Sequence, residues 1–344
     1  IVSLRGSLTT WLDRWGIHED VIIILTALAV GIGTGLSAVI FVWLGVQVRS
    51  LALAITDVVG MIPGTIGVMA LAGILVGLIV QRWAPEVRGS GVPEVMEAVA
   101  IRGSRIRSRV AAAKIIATSI TVGSGGSAGR EGPIVQVGSS LGSTIGRMLH
   151  FSEPRVRTLV ACGAAGGIAA TFNAPIAGTL FAMEVILGSF TVRYFGAVVI
   201  SAVAASIVSD MFIGNTPAFH VQLPAYPLYH VGEVPIYALL GVLSAIVAVV
   251  FIHVRYRVDD LFGKWRMSIP AKAAIGMVLT ACLGLLYPEY GILGSGLPAL
   301  GRAIANNIDY SVSLMGVLLI LKILATSFTV GSGNSGGIFA PSLY

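Results

Sequence analysis

Charge is what this sequence has least of. Only 11% of its 344 residues are Asp, Glu, Lys or Arg, against about 25% in a typical soluble domain. Hydrophobic residues make up 56%, and the mean hydropathy is +0.90. This excludes an ordinary soluble enzyme and predicts a polytopic, all-α membrane protein. Cysteine is nearly absent as well. Cys162 and Cys282 lie far apart inside apolar segments, without metal-ligand spacing, and read as small packing residues. The histidines (His18, His150, His220, His230 and His253) are scattered without ligand spacing, so no metal or other cofactor is expected. No basic stretch is interleaved with aromatics, so the net charge of +6 reads as loop positives rather than as a nucleic-acid face. The glycine-rich run at residues 123–129 lacks the Gly-Lys-Ser/Thr ending of a phosphate loop and has no strand before it. Neither nucleotide binding nor enzymatic activity is expected, and no residue is assigned a catalytic role. No small-residue cleavage pattern follows the first long apolar run, so no cleavable signal peptide is expected.

What is present is glycine, 43 residues of it, and a duplication. Residues 114–133 read KIIATSITVGSGGSAGREGP and residues 322–341 read KILATSFTVGSGNSGGIFAP. The offset is constant, since 322 − 114 and 341 − 133 both give 208, and thirteen of the twenty positions are identical. A second motif precedes each copy: Gly89-Ser90-Gly91-Val92-Pro93 and Gly294-Ser295-Gly296-Leu297-Pro298. Two ordered motifs found twice indicate a duplicated half. Glycine- and proline-broken apolar segments at matching places in two halves point to a transporter whose binding site lies where the breaks meet. The expected organisation is a first transmembrane repeat at residues 1–215, an outer loop at 216–234 and a second repeat at 235–344.

The segmentation supports this. Residues 4–15 look like an interfacial amphipathic stretch. Residues 18–20 cap an apolar run from Val21 to about Val48, longer than the roughly 20 residues a spanning helix needs, with Gly31, Gly33 and Gly35 suited to close helix contact. A second span runs from about residue 58 or 61 to 80. The segments at 89–100, 110–122, 134–149, 156–171 and 174–187 are near or below spanning length. Broken backbone at membrane depth is tolerated only when buried in protein or lining a cavity, so an internal polar site is expected. Further spans are expected at 195–212, 234–254, 269–286 and 312–330. Arg102, Arg105, Arg107 and Arg109 crowd one connection, and Arg255, Arg257, Lys264 and Arg266 another. Both should be cytoplasmic by the positive-inside rule, whereas residues 214–234 carry no Lys or Arg and should face outward. The halves could be inverted or parallel, depending on the number of crossings between the copies, which the short segments leave open; an inverted arrangement is favoured.

The duplicated motifs place glycines, a serine hydroxyl and prolines at helix starts, where proline suits the first turn. A helix N-terminus carries about half a positive charge and unpaired N–H donors, which favour anions. Several such termini meeting at mid-membrane would hold an anion without a full cation that would prevent its release. Arg130-Glu131-Gly132 in the first copy aligns with Ile338-Phe339-Ala340 in the second. A carboxylate at a buried helix start is placed like an anion, so Glu131 could occupy such a site and leave when protonated or displaced.

The strings GSGVPE, GREGP and GIFAP, in that order, together with Asn173-Ala174-Pro175, resemble the signature motifs of the CLC family of chloride channels and chloride/proton antiporters. The resemblance implies a helical inverted-repeat fold with broken, tilted helices and a homodimer with one anion pathway per subunit. It implies chloride as the transported ion, protons as a possible second one, and a multi-pass location in a lipid bilayer, a prokaryotic inner membrane. Ser90, beside Gly91, would offer its hydroxyl to chloride, and the N–H groups of Ile338 and Phe339 would complete the site. Glu131 would be the gating glutamate. Gly89, Arg130, Gly132 and Lys114 would line the anion pathway, with Arg130 aiding approach from outside. Lys114 and its duplicate Lys322 would raise the local potential or snorkel to the surface. Serine at position 90 implies chloride, since nitrate-selecting relatives carry proline there. Antiporters of the family usually carry an internal proton-transfer glutamate in the helix after the Asn-Ala-Pro motif. Here that position aligns with Val185, beside Glu184, which implies passive or weakly coupled conduction; Glu184 would be a buried structural carboxylate or a proton detour. Proton-coupled antiport by another inner path is the alternative. The family also continues past the position of Tyr344 and supplies an inner-gate tyrosine from a later helix, a role Tyr344 does not fill.

Overall fold

A computed structural model describes residues 19–190, 192–214, 231–304 and 311–344, and every regular element among them is helical. The interfacial segment expected at residues 4–15, His18, and residues 216–230 of the expected loop lie outside the described residues. In chain order the α-helices are α1 Glu19–Val59, α2 Met61–Leu78, α3 Val92–Ile101, α4 Arg109–Gly123, α5 Glu131–Met148, α6 Glu153–Phe172, α7 Pro175–Phe181, α8 Val192–Ile213, α9 Val234–Lys264, α10 Ile269–Leu286, α11 Leu297–Ile304, α12 Val312–Gly331 and α13 Phe339–Leu343. Ile79–Trp83 and Ala182–Leu187 continue α2 and α7 as π-helical turns.

Six stretches among the described residues are long and apolar enough to cross a membrane: Val21–Val59, Met61–Trp83, Tyr194–Ile213, Val234–Lys264, Ile269–Leu286 and Val312–Gly331. Two outrun the expected bounds by ten residues or more. The first continues eleven residues past Val48, because nothing between Arg49 and Val59 breaks a helix; Gly60, at φ 103°, does. Helix α9 likewise runs through Arg255 and Arg257 to Lys264 rather than ending at Val254, so those arginines sit on helix and not in a connection.

The chain forms two compact units. One comprises the described residues up to Leu44, Gly91–Ile116 and those from Glu131 onwards to Gly214. Its helices approach closely at glycines. A Cβ on Gly163 of α6 would sit 1.9 Å from the Gly138 carbonyl oxygen of α5, and one on Gly142 would sit 2.0 Å from that of Leu159. The backbones of α5 and α6 therefore touch, as small residues four apart allow in membrane helices. Gly31 and Gly35 of α1 press on Ser201 and Ala205 of α8 in the same way, whereas Gly33, on another face, has room for a side chain. Cys162 is fully buried here, as expected of a packing residue.

The other unit comprises Gly45–Ser90, Ala117–Arg130 and the described residues from Val231 to Tyr344. Gly73 and Gly77 of α2 leave space for the backbone of α10 at Ala274 and Pro270. Met69, Ala72, Met277 and Ala281 form its core beside them. Cys282, expected to pack, is instead exposed on α10, one residue past the buried Ala281.

Candidate functional site

Each motif begins a helix. Val92, Glu131, Leu297 and Phe339 are the first residues of α3, α5, α11 and α13, with Pro93 and Pro298 second in their helices and Pro133 and Pro341 third. Proline costs nothing in a first turn, where its missing N–H has no intrahelical partner to lose.

In the first unit the starts of α3 and α5 are pressed together. Gly91 has φ +98°, and a Cβ there would lie 2.9 Å from the Gly132 carbonyl oxygen and 3.0 Å from Gln136 Oε1. Only glycine fits both that conformation and that gap. Two positive helix ends thus lie side by side, and Glu131, first residue of α5, is 1% exposed. The favourable place for a carboxylate is a helix N-terminus, so the fold holds this buried acid where its charge is best tolerated. Lys114 of α4 is also in this unit, fully buried, with Glu94 of α3 acting on it electrostatically. Gly132 is buried as well.

In the second unit the glycine-rich segment Ser335–Gly337, just before α13, is laced to both other motifs. Gly89 pairs with Ser335, its N–H donating to the Asn334 carbonyl (3.1 Å) and its carbonyl accepting from the Gly336 N–H (3.2 Å). Gly129 and Gly337 exchange two backbone hydrogen bonds of 2.7 Å each. The duplicate motif answers: the Gly294 N–H donates to the Gly125 carbonyl at 3.0 Å. Ser90 is 8% exposed, Ile338 half-buried, Phe339 49% exposed and Arg130 exposed. The segments carrying Gly89-Ser90, Gly129-Arg130 and Gly337-Ile338-Phe339 are thereby fixed in register by main-chain pairing.

The hydroxyls behind these glycines were not among the residues singled out by sequence. Thr118 and Ser335 share a hydrogen bond (2.8 Å), as do Ser127 and Thr326 (2.9 Å), and the Ser127 N–H donates to Thr329 Oγ1 at 3.1 Å. Their signal was available, since Thr118/Thr326 and Ser127/Ser335 are identical pairs in the repeat.

The Asn173-Ala174-Pro175 motif ends α6 and starts α7. Asn173 takes the left-handed conformation (φ 52°), and its Oδ1 accepts from the Ser206 hydroxyl of α8 at 2.6 Å. Glu184 and Val185 follow on the π-helical turn, Glu184 exposed and Val185 half-buried, so of the two readings of Glu184 the buried structural carboxylate is not met. Lys322 neither snorkels nor faces open space: it is 2% exposed and donates to three backbone carbonyls.

Comparison with known proteins follows the same lines. The profile described as Voltage gated chloride channel matches residues 72–344. The chain is 35% identical over 340 residues to the H+/Cl− exchange transporter ClcA of Yersinia pestis, covering 94% of this chain and 69% of that one. It is 31% identical over 279 residues, 79% of this chain, to a protein of Ralstonia nicotianae named provisionally as a ClcB-like chloride channel protein, of which it spans 63%. Among solved structures, a slow cyanobacterial Cl−/H+ antiporter superposes with a TM-score of 0.80 at 25% identity, over 94% of this chain and 76% of that one. A CLC-type fluoride/proton antiporter superposes at 0.79 with 23% identity, a likeness of fold.

Proposed function

We propose that this chain, which belongs to the voltage gated chloride channel (CLC) family, carries chloride across a membrane through a pathway gated by Glu131. The observation that carries the reading is the main-chain lacing of the three helix-start motifs: Gly89 to Ser335 and Gly336, and Gly129 to Gly337. This pairing fixes the register of the backbone leading into α13, which supports a site built from main-chain N–H groups. Chloride is to bind the Ser90 hydroxyl and the N–H groups of Ile338 and Phe339, along a pathway that includes Gly89 and Arg130. Partial charges suffice to desolvate chloride there and still release it. Glu131, an anion at a helix start, competes with chloride for the same potential and yields when protonated. The two transmembrane repeats, residues 1–215 and 235–344 about the loop 216–234, are read as inverted halves of one subunit of a homodimer in the bacterial inner membrane.

Coupling to protons is read as weak, because Val185 has no titratable group to relay one. A second reading, full antiport, is favoured by one observation: Glu184 lies exposed on the π-helical turn immediately before Val185, a distortion that recurs at functional sites. It also agrees with the exchange activity named for the Yersinia relative.

The test of the gate is Glu131→Gln in the full-length protein reconstituted into liposomes. A permanently neutral side chain is expected to leave chloride flux independent of external pH. Flux that keeps the wild-type pH profile in this variant would remove Glu131 from the role.

A further inference from the structure

The two copies of Gly-Ser-Gly-x-Pro begin helices of the same kind but differ in the charge that follows the motif. In the first copy a carboxylate, Glu94, stands third in α3. The offset between the copies of this motif is 294 − 89 = 205, which puts Ala299 where Glu94 stands. The lysine of the second copy, Lys322, therefore has no carboxylate at the corresponding place, and among the described residues none is paired with it. A buried ammonium without a counter-ion must have its N–H groups satisfied by dipoles instead.

The loop leading into α11 supplies them. Lys322 Nζ donates to the carbonyls of Gly291 (3.0 Å), Ile292 (3.0 Å) and Gly294 (2.9 Å). An ammonium has three N–H groups, so its donors are fully used. Gly291 and Gly294 turn their carbonyls inward at φ +74° and +69°, a region open to glycine. The Tyr344 ring lies 5.2 Å from Nζ, and its hydroxyl donates to the Tyr290 carbonyl, so an aromatic face covers the ammonium's remaining side. Gly296 cannot carry a side chain, since a Cβ there would meet Tyr344 at 2.8 Å and Nζ at 3.1 Å. The Gly294 N–H is committed to Gly125.

We infer that the second Gly-Ser-Gly-x-Pro loop is a carbonyl cage for an alkylammonium cation, filled by Lys322, and that this copy of the motif is closed to anions. Lys322 is a positioning residue. It holds the loop leading into α11, and the Tyr344 ring, against α12. The second clause rests on the chloride pathway proposed above; the cage itself does not.

The experiment uses the full-length protein in detergent, with melting as the readout. Lys322→Ala removes three methylenes and the ammonium, leaving room for n-propylammonium. Lys322→Ala is expected to lower Tm by about 5 °C or more, and millimolar n-propylammonium chloride to restore at least half of the loss. Tetramethylammonium chloride, a cation without N–H groups, should restore none, and neither salt should move the wild type. Lys322→Met keeps the stem and is expected to melt low without rescue, because the stem fills the space. If Lys322→Ala cannot be purified, inclusion of propylammonium throughout should recover it. Wild-type melting in Lys322→Met, or no recovery and no selectivity between the two salts, would overturn the cage. In liposomes Ser295→Ala should leave chloride flux within about twofold of wild type, since a loss of hydrogen bonding to an anion would cost about tenfold; a tenfold loss would show the second copy open to anions. A wild type that moves no chloride refutes the proposed function and leaves the melting result to judge the cage alone.

Discussion

Thr118 and Ser335 share a hydrogen bond of 2.8 Å, and their counterparts in the repeat, Thr326 and Ser127, share one of 2.9 Å. The correspondence is strict, because 326 − 118 and 335 − 127 both equal 208. Each copy's helix hydroxyl bonds the other copy's glycine-run serine. That exchange ties the two copies of the motif to each other, and Ser335 also takes part in the backbone pairing with Gly89.

The two bonds should be energetically equivalent. Thr118→Val and Thr326→Val are each expected to cost about 1–2 kcal/mol, the penalty of leaving a buried serine hydroxyl unmet. Combining each with Ser335→Ala or Ser127→Ala should recover part of it, giving a coupling of about 0.5–1.5 kcal/mol. Double-mutant cycles from reversible unfolding in detergent measure this. Strictly additive losses would mean that the hydroxyl pairs contribute nothing jointly.

The contact between α5 and α6 tolerates no side chain. Gly163→Ala places a Cβ 1.9 Å from the Gly138 carbonyl oxygen, and overpacking of this kind costs about 1–3 kcal/mol or more. A lower Tm or a loss of monodisperse protein is expected, while Gly33→Ala, whose Cβ would meet only Leu141 at 3.8 Å, should melt within a degree or so of wild type. Equal effects of the two substitutions would contradict the packing described.

Anion preference should reside at Ser90. If the Ser90 hydroxyl binds the ion as proposed, Ser90→Ala is expected to weaken chloride binding by about tenfold, measured by calorimetry. Ser90→Pro should shift the preference from chloride towards nitrate, measured by flux with each anion. Unchanged selectivity would place the discriminating group elsewhere.

Much of the fold was legible because its signals are periodic or repeated. Apolar length marked the spans, and the constant offset of 208 marked the two helix starts that follow Gly129 and Gly337. Helix ends were less legible: α1 passes Arg49 and α9 passes Arg255, because a single charged residue can lie exposed on a helix that continues, and only Gly60 and Trp265 end them. The glycine run Gly138, Gly142, Gly146 carried a readable four-residue period, yet its partner could not be read from local sequence; Gly163 and Leu159 are brought to it by tertiary packing. The role of Lys322 was illegible for a like reason. Its ligands are carbonyl oxygens, which every residue possesses, so no side-chain pattern announces them.

Val185 is the simplest reason to expect weak proton coupling, and Val185→Glu tests it by adding a carboxylate to the π-helical turn. Protons moved per chloride should rise in the variant, followed with a pH-sensitive dye in liposomes. No change would mean that position 185 does not meet a proton path.

The most direct measurement is chloride movement in liposomes holding the full-length protein, with a proton gradient imposed and no chloride gradient. If Glu131 is the gate and Val185 stands in place of a proton-transfer glutamate, the protein should dissipate an imposed chloride gradient and build none from protons. Uphill chloride movement with stoichiometric proton flow the other way would contradict weak coupling and direct attention to a proton path through Glu184.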